Sequence, residues 1–143
     1  MRSIKRICKI LRTPEYPQSM GDLAKFDEYD KITSKCALGE ISCRVGLPIT
    51  NRIMGEISYG QILQHAGVPQ FLYDGKCLPT LNGYGTKREN GKDVFRNDLN
   101  LKISSLDDTQ DYCRDNLGEW IWKLNDSGFS YEQIAEFLET TFP

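Results

Sequence analysis

Residues 117–139, which lie within the last quarter of the chain, constrain the fold most, because they specify two helices and the turn between them. Apolar side chains recur in each half at positions i, i+3, i+4 and i+7, which places them on one face of a helix. The two stripes are Leu117, Trp120, Ile121 and Leu124, then Tyr131, Ile134, Ala135 and Leu138. We therefore expect two helices that bury these stripes.

The turn between the two helices carries its own signals. Gly128 stands where a helix end requires left-handed backbone, which only glycine adopts without a steric cost. Phe129 follows and can pack on Leu124, the contact that accompanies a Schellman ending. Ser130 is expected to cap the second helix, and Gln133 completes a capping box. The segment predicts an antiparallel or strongly angled helical hairpin.

The stretch 128–135, Gly-Phe-Ser-Tyr-Glu-Gln-Ile-Ala, is similar to the first helix of a helix-turn-helix unit. In that unit a recognition helix follows and enters the major groove of DNA. Here the chain reaches Pro143 four residues after Glu139, so we expect no recognition helix, and the partner helix precedes the motif. The pattern favours a packing hairpin and argues against sequence-specific DNA binding.

Length and charge narrow the class of protein. A chain of 143 residues is expected to form one domain, 1–143, whose hydrophobic core is large enough to be stable without a disulfide or a structural metal. A net charge of −2 provides no global basic field for nucleic acid. No apolar run approaches the roughly 18 residues of a membrane span. Charges also interrupt the apolar N-terminal positions, so no signal-peptide core is present. These features predict a cytoplasmic protein without a membrane partner.

Further helices are predicted from the same capping and periodicity signals. The predicted helix that begins at Ser58 has a capping box of Ser58 and Gln61. It ends in Gly-apolar-Pro, as does the predicted helix before it. The predicted helices run from Ser3 to Arg12, from near Ser34 to Gly46, from Ser58 to Gly67, and from Ser105 or Asp107 to Asp126, the last with a break near Gly118.

Strand signals are fewer than helix signals. Residues 71–78 predict a β-hairpin, because their Asp-Gly pair favours a type I′ turn. Alternating apolar residues in 99–103 predict one more strand. Segments 13–33 and 79–98 are expected to be irregular or loop-rich. The predicted fold class is α+β, mainly α: about five short helices with a small β-hairpin or a two- to three-stranded antiparallel sheet.

A glycine-rich loop is the best candidate for ligand binding. It combines backbone amides, a hydroxyl group, an aromatic ring and three cations, which together can grip a phosphate and stack a base. It matches no P-loop or dinucleotide fingerprint, and a flexible surface loop is the alternative interpretation. The ligand-binding candidates are Tyr84, Thr86, Lys87, Arg88 and Lys92.

The first helix offers a candidate partner-binding face. Its cations cover the side opposite the apolar stripe, and such a face either contacts a protein or nucleic acid or is merely solvated. Trp122 points away from the core residue Trp120 and is a plausible interface anchor, although it can also cover the N-terminal segment. The partner-binding candidates are Arg2, Lys5, Arg6, Lys9 and Trp122.

Five cysteines, an odd number without Cys-x-x-Cys spacing, favour small buried side chains in a reducing compartment. Cys36 and Cys43 are predicted to share one helix face. A zinc site formed by Cys36, Cys43, Cys77 and His65 has no spacing support. His65, the single histidine, could activate one of these cysteines, but nothing local marks any of them as a nucleophile. We expect no metal or other cofactor.

Asp107, Asp111 and Asp115 are spaced to share a helix face. Three carboxylates on one face could hold Mg²⁺ or Ca²⁺. Acids in a first turn more commonly complement the helix dipole, and the others are then solvated. No catalytic residue is therefore assigned.

Three segments resemble, in order and spacing, a family of small uncharacterised bacteriophage and prophage proteins. They are Leu11-Arg-Thr-Pro-Glu-Tyr-Pro-Gln18, Lys35-Cys-Ala-Leu-Gly-Glu-Ile-Ser-Cys43 and Leu124-Asn-Asp-Ser-Gly-Phe-Ser-Tyr-Glu-Gln-Ile-Ala-Glu-Phe-Leu-Glu139. Family members carry a Gly-x-Tyr-x-Gln-like stretch, a cysteine-rich helix and a Leu-Asn-Asp-x-Gly ending. Ala37 stands where they commonly have a second cysteine, which weakens the idea of an obligatory metal site.

The resemblance implies a phage-encoded accessory protein in the host cytoplasm and implies no activity. Without a catalytic constellation, such a protein most often acts by binding, either blocking a host protein or sequestering a nucleotide signal of a defence system. The alternatives are a small hydrolase or nucleotide-processing enzyme and a nucleic-acid-binding accessory protein that uses the first helix. The oligomeric state is not predicted.

Overall fold

Helices dominate the described part of the chain, which comprises residues 1–75, 78–79, 86–95 and 113–143 of a computed structural model. The fold is α+β and mainly α, as the sequence predicts, although the number of elements is larger. The helices are α1 Arg2–Arg12, α2 Ala37–Arg44, a 3₁₀ turn Met54–Glu56, α3 Tyr59–His65, α4 Gln70–Tyr73, α5 Leu117–Asp126 and α6 Tyr131–Thr141.

Six short strands form three antiparallel pairs within the described residues. Each pair has its own two-stranded ladder, so no extended sheet joins them in this part of the chain. The strands are β1 Ala24–Phe26 with β2 Ile32–Lys35, β3 Leu78–Pro79 with β6 Cys113–Asp115, and β4 Thr86–Glu89 with β5 Lys92–Phe95.

The C-terminal hairpin of α5 and α6 forms as predicted. Gly128 has φ 91°, and the backbone N–H of Phe129 donates to the carbonyl oxygen of Leu124 at 3.2 Å, the Schellman hydrogen bond. Ser130 and Gln133 form the complete capping box. All eight residues of the two predicted apolar stripes are buried. Local capping and burial of one face per helix therefore account for this unit.

The first helix packs mainly on the last one. Ile4, Ile7 and Leu11 are fully buried on one face of α1, because their spacing brings them to the same side. On the same interface the thiol of Cys8 donates to the carbonyl oxygen of Ala135 at 3.4 Å. Residues more than 120 positions apart thus build one side of the core.

The predicted start of the second helix near Ser34 is wrong. Residues 32–35 are extended and pair with 24–26, so part of the segment 13–33 is also more regular than predicted. Cys36 is the N-cap of α2, not a residue on its face, and its sulfur accepts a hydrogen bond from the N–H of Gly39. A Cβ at Gly39 would lie 1.8 Å from the carbonyl oxygen of Leu23, so only glycine allows the β1 end to approach α2.

The predicted β-hairpin at 71–78 is also wrong. Pro69, with φ −55°, precedes a single helical turn, α4, whose Leu72 is fully buried. Gly75, with φ 108°, follows this turn, and Leu78 pairs with Asp115. A glycine with positive φ fits a helix end as well as a hairpin turn, and here burial of Leu72 favours the helical turn over the hairpin.

The segment 79–98, predicted to be loop-like, contains the β4–β5 hairpin. Asn90 and Gly91 at its turn have φ 52° and 75°, as a type I′ turn requires. The predicted long helix is wrong over 113–116, because β6 precedes α5 and Asn116 caps α5. Gly118 therefore lies in the first turn of α5, not at a break. The predicted strand at 99–103 and the predicted caps at residues 105 and 107 lie outside the described residues.

Candidate partner-binding surface

Four cations form a stripe along the exposed face of α1. At about 100° per residue they fall within an arc of about 100°, and they extend over about 10 Å of the helix. None of them forms an ion pair with another described residue. We call this set the basic stripe; its members are Arg2, Lys5, Arg6 and Lys9, all exposed.

Arg12, one turn further along α1, behaves differently from the basic stripe. Its guanidinium pairs with Glu132 at 3.0 Å and with both carboxylate oxygens of Glu139, one of them at 2.9 Å. The hydrogen bonds that Arg12 donates to Glu139 and Glu132 raise its pKa. In return Arg12, with a smaller contribution from Lys5, lowers the pKa of Glu139. Arg12 therefore fastens α1 to α6, and its charge is already neutralised.

A groove of about 570 Å³ runs beside the basic stripe, between α1 and the end of α6. Ile4 and Phe142 form its buried floor, 0% and 4% exposed, and Pro143 is its exposed apolar residue. Lys5 and Lys9 bring two members of the stripe to its edge. The remaining lining residues are Arg12, Thr13 and Glu139. A partly apolar groove edged by cations that no described carboxylate pairs with can receive an apolar side chain and a carboxylate together.

Trp122, predicted as a partner-binding residue, is not part of this groove. It lies on α5, half-buried against the core, with the ammonium of Lys123 at 5.9 Å from its ring. Trp120 is fully buried and packs edge-on against Phe137 at 5.4 Å, so the predicted difference in exposure between the tryptophans is confirmed. A role of Trp122 in binding stays a prediction.

The predicted ligand-binding residues are distributed over a hairpin. Thr86, Lys87 and Arg88 are consecutive in β4, and Lys92 begins β5 opposite Glu89. Tyr84 lies outside the described residues. The backbone ladder from 86 to 95 replaces the continuous loop on which the phosphate-gripping hypothesis was based. Ligand binding by these residues stays a prediction.

A buried ionic cluster at the start of α2 was not predicted. Lys35 and Glu40 are 2% and 0% exposed, and their charged atoms lie 3.6 Å apart. The ring of Tyr16 covers the Lys35 ammonium at 4.4 Å. Glu40 also accepts the backbone N–H of Glu15 at 2.7 Å and pairs with Arg44 at 3.6 Å. The cluster fixes the segment after α1 over the N-terminus of α2.

A second polar network centres on Asn125, which is 1% exposed. Its side-chain oxygen accepts from the N–H of Ala37 and from Gln18, both at 2.9 Å, and its nitrogen donates to Ser19. Gln18 also donates to the carbonyl oxygen of Phe129 at 2.7 Å. The three segments that carry the family resemblance therefore meet in one network. These hydrogen bonds give the three segments a structural role in holding α2 and α5 to the chain after α1.

The cysteine and histidine positions give no nucleophilic pair among the described residues. Burial raises the pKa of Cys8 to about 12 and also raises the pKa of Cys36, so both thiols stay protonated at neutral pH. Cys43 is half-buried, and His65 is exposed at the end of α3. Cys77 lies outside the described residues.

The described part of the chain contains neither a metal-binding cluster nor a membrane-spanning helix. Within residues 1–75, 78–79, 86–95 and 113–143, no three His, Cys, Asp or Glu side chains are grouped to hold a metal ion. Asp115 lies in β6 and pairs with Lys123 at 2.9 Å, so it does not share the predicted helix face. Asp107 and Asp111 lie outside the described residues. Every helix described is too short or too polar to cross a bilayer.

Comparison with known proteins adds no assignment. No family model matches the chain, and no match was found among curated proteins or among solved structures.

Proposed function

We propose that the protein acts by binding, as a phage-encoded accessory protein that modulates or inhibits a host process. The contact is made by the basic stripe of α1, and the partner is an acidic surface of a host protein. The resemblance to phage and prophage proteins supports the context. The observation that carries the proposal is a stripe of exposed cations, none of them paired with another described residue, beside a partly apolar groove.

The energetics of the stripe support a binding role. Like charges three or four positions apart on a helix repel by roughly 0.2–0.5 kcal/mol for each pair. Arg2 and Arg6, and Lys5 and Lys9, stand at such spacings without a described carboxylate between them. Carboxylates of a partner would remove this repulsion and gain attraction as well. Complementary charge of this kind mainly raises the association rate and the specificity.

Site-specific photo-crosslinking in bacterial cells tests the proposal. Arg6, in the middle of the stripe, is replaced by the photoreactive amino acid p-benzoylphenylalanine, and exposed Arg52 is replaced in a matched control. A host protein cross-linked only through position 6 is identified by mass spectrometry. It is then purified and titrated against the wild type, against Lys5→Glu with Lys9→Glu, and against Lys31→Glu with Arg52→Glu.

The expected result is binding that weakens by about tenfold or more in the stripe variant and is unchanged in the control variant, which carries the same change in net charge. The affinity should also fall as salt is added. Equal binding by both variants, or cross-links that do not depend on position 6, would overturn the proposal. Recovery of nucleic acid or a nucleotide in place of a protein would do so as well.

A further inference from the structure

We infer that the segment seated on this surface is an acidic amphipathic helix of the partner, with an apolar side chain in the groove. This inference rests on the proposed function and adds the chemistry of the partner. It depends on three observations: the linear arrangement of the cations, the apolar lining beside them, and the carboxylates on the α6 side.

The arrangement of the cations matches the repeat of a helix. Arg2, Lys5, Arg6 and Lys9 stand at i, i+3, i+4 and i+7, which spreads four charges along about 10 Å of α1. Asp or Glu at the same spacing on a second helix would line up with them. A compact phosphate group, by contrast, is bound by donors that converge on one point. The described stripe has no such convergence.

The groove supplies the apolar half of the recognition. Its exposed apolar surface is Pro143 with the aliphatic stems of Lys5 and Lys9, above a floor of buried Ile4 and Phe142. Its volume of about 570 Å³ accommodates the side chains of one helical turn. An amphipathic helix presents apolar and acidic positions on adjacent faces, so both sets can engage at once. A purely acidic, unstructured chain would leave the apolar lining exposed to water.

The flanking carboxylates argue against the other occupants. Glu132, Glu136 and Glu139 are all exposed on α6, next to α1, so a long polyanion such as duplex DNA would extend over these carboxylates. An amphipathic helix instead turns its apolar face toward α6 and its acids toward the stripe. A second copy of this chain offers exposed acids such as Asp27 and Glu28, but they lie in the turn between β1 and β2 and lack the repeat of a helix.

Fluorescence anisotropy with defined probes tests the inference. The first probe is a labelled synthetic peptide of about 18 residues, Ala-rich at its other positions and shown to be helical by circular dichroism before use, because isolated helices are marginal in water. It carries Glu at i, i+3, i+4 and i+7 and Leu on the adjacent face. The comparison probes are a scrambled peptide of the same composition, a Gln-for-Glu peptide, polyglutamate and a labelled DNA duplex. Each is titrated with the wild type, with Lys5→Glu and Lys9→Glu together, with Pro143→Asp, and with the Lys31→Glu, Arg52→Glu control.

The expected result is that only the acidic amphipathic helix binds well. Its affinity should fall by about tenfold or more in the stripe variant and by a smaller factor in Pro143→Asp, with the control unchanged. Polyglutamate or the scrambled peptide binding as tightly would show general charge attraction and overturn the inference. Tighter binding of the duplex, or no binding of any probe, would overturn it too.

The two proposals fail in different ways. If a host protein depends on the stripe but the amphipathic helix neither binds nor competes with it, the inference is wrong and the proposed function stands. If the helix binds through the stripe but no host protein does, the surface chemistry is right and the proposed function is wrong.

Discussion

Two charged regions of this molecule hold their cations in opposite environments, one buried and one exposed. Around Lys35 the charge is buried, and Glu40, Tyr16 and the backbone of Glu15 surround the cluster with partners. Along α1 the cations of the basic stripe are exposed and form no described ion pair. The buried charges are committed to holding two segments together. The exposed charges contribute little to the fold and remain available to a partner, so the two regions should respond differently to mutation.

The largest effect is expected from breaking the buried pair. Glu40→Ala leaves the ammonium of Lys35 buried without its carboxylate, and loss of one partner of a buried pair typically costs about 3–5 kcal/mol. Urea denaturation would measure the loss in the free energy of unfolding. Glu136→Ala, at an exposed carboxylate, is the control and should change it by less than about 0.5 kcal/mol. Similar values for the two variants would show that the buried pair has no special weight.

The neutral network at Asn125 should give the second largest effect. Asn125→Ala removes the acceptor of the Ala37 N–H and the partner of Gln18, and leaves buried donors unsatisfied. The expected loss is about 2–3 kcal/mol in the free energy of unfolding. Asn51→Ala, which removes only an exposed hydrogen bond to Asp30, is the matched control. A loss below about 1 kcal/mol at Asn125 would mean that water replaces the missing amide.

Arg12 lies between the two extremes, and its effect should depend on pH. Arg12→Gln is expected to cost below about 1 kcal/mol, because its pairs with Glu132 and Glu139 are partly exposed. Arg12 lowers the folded-state pKa of Glu139 from 4.5, so this contribution is present above that value and is lost as pH falls through the lower, folded pKa. The difference in the free energy of unfolding between the wild type and Arg12→Gln, measured from pH 7 to pH 2, tests this. A wild-type advantage that persists at pH 2 would contradict the ion-pair origin.

The smallest effect on stability is expected at the basic stripe. Replacing Lys5 and Lys9 by Glu relieves repulsion with Arg2 and Arg6 but removes the attraction of Lys5 to Glu139, so two small effects oppose each other and the free energy of unfolding should stay within about 0.5 kcal/mol of the wild type. Thermal melting measures it, with the Lys31→Glu, Arg52→Glu variant alongside. Marked destabilisation would show that the stripe is structural, and the contrast between the two regions would fail.

The sequence predicts the local signals well and the long-range ones poorly. Capping boxes at Ser58 and Ser130 and the left-handed Gly128 appear as expected, because their causes lie within a few residues. The strand at 32–35 was missed because it has only four residues and no clear alternation, and its pairing with β1 overrides helix propensity. The turn at α4 was missed because burial of Leu72 decides it.

The candidate surface divides in the same way. The basic stripe is predictable, since the spacing of Arg2 and Lys9 and of the cations between them is visible in one helix. The groove is not, because Phe142 reaches α1 only through the fold. The buried Lys35 also escapes prediction. Its one signal is a lysine directly before the apolar run Cys-Ala-Leu, and a surface lysine at a helix start looks the same.

The packing of α1 on α6 also orders events in time during synthesis. The thiol of Cys8 is bonded to the carbonyl of Ala135, 127 positions later, so the apolar face of α1 lacks most of its cover until α6 leaves the ribosome. Until then Ile4, Ile7 and Leu11 are open to chaperones or to other nascent chains. A ribosome stalled before residue 131 would expose α1 with both its cationic face and its apolar face open to solvent. Completion of α6 is therefore the step that buries the apolar face of α1 and leaves only its cationic face exposed.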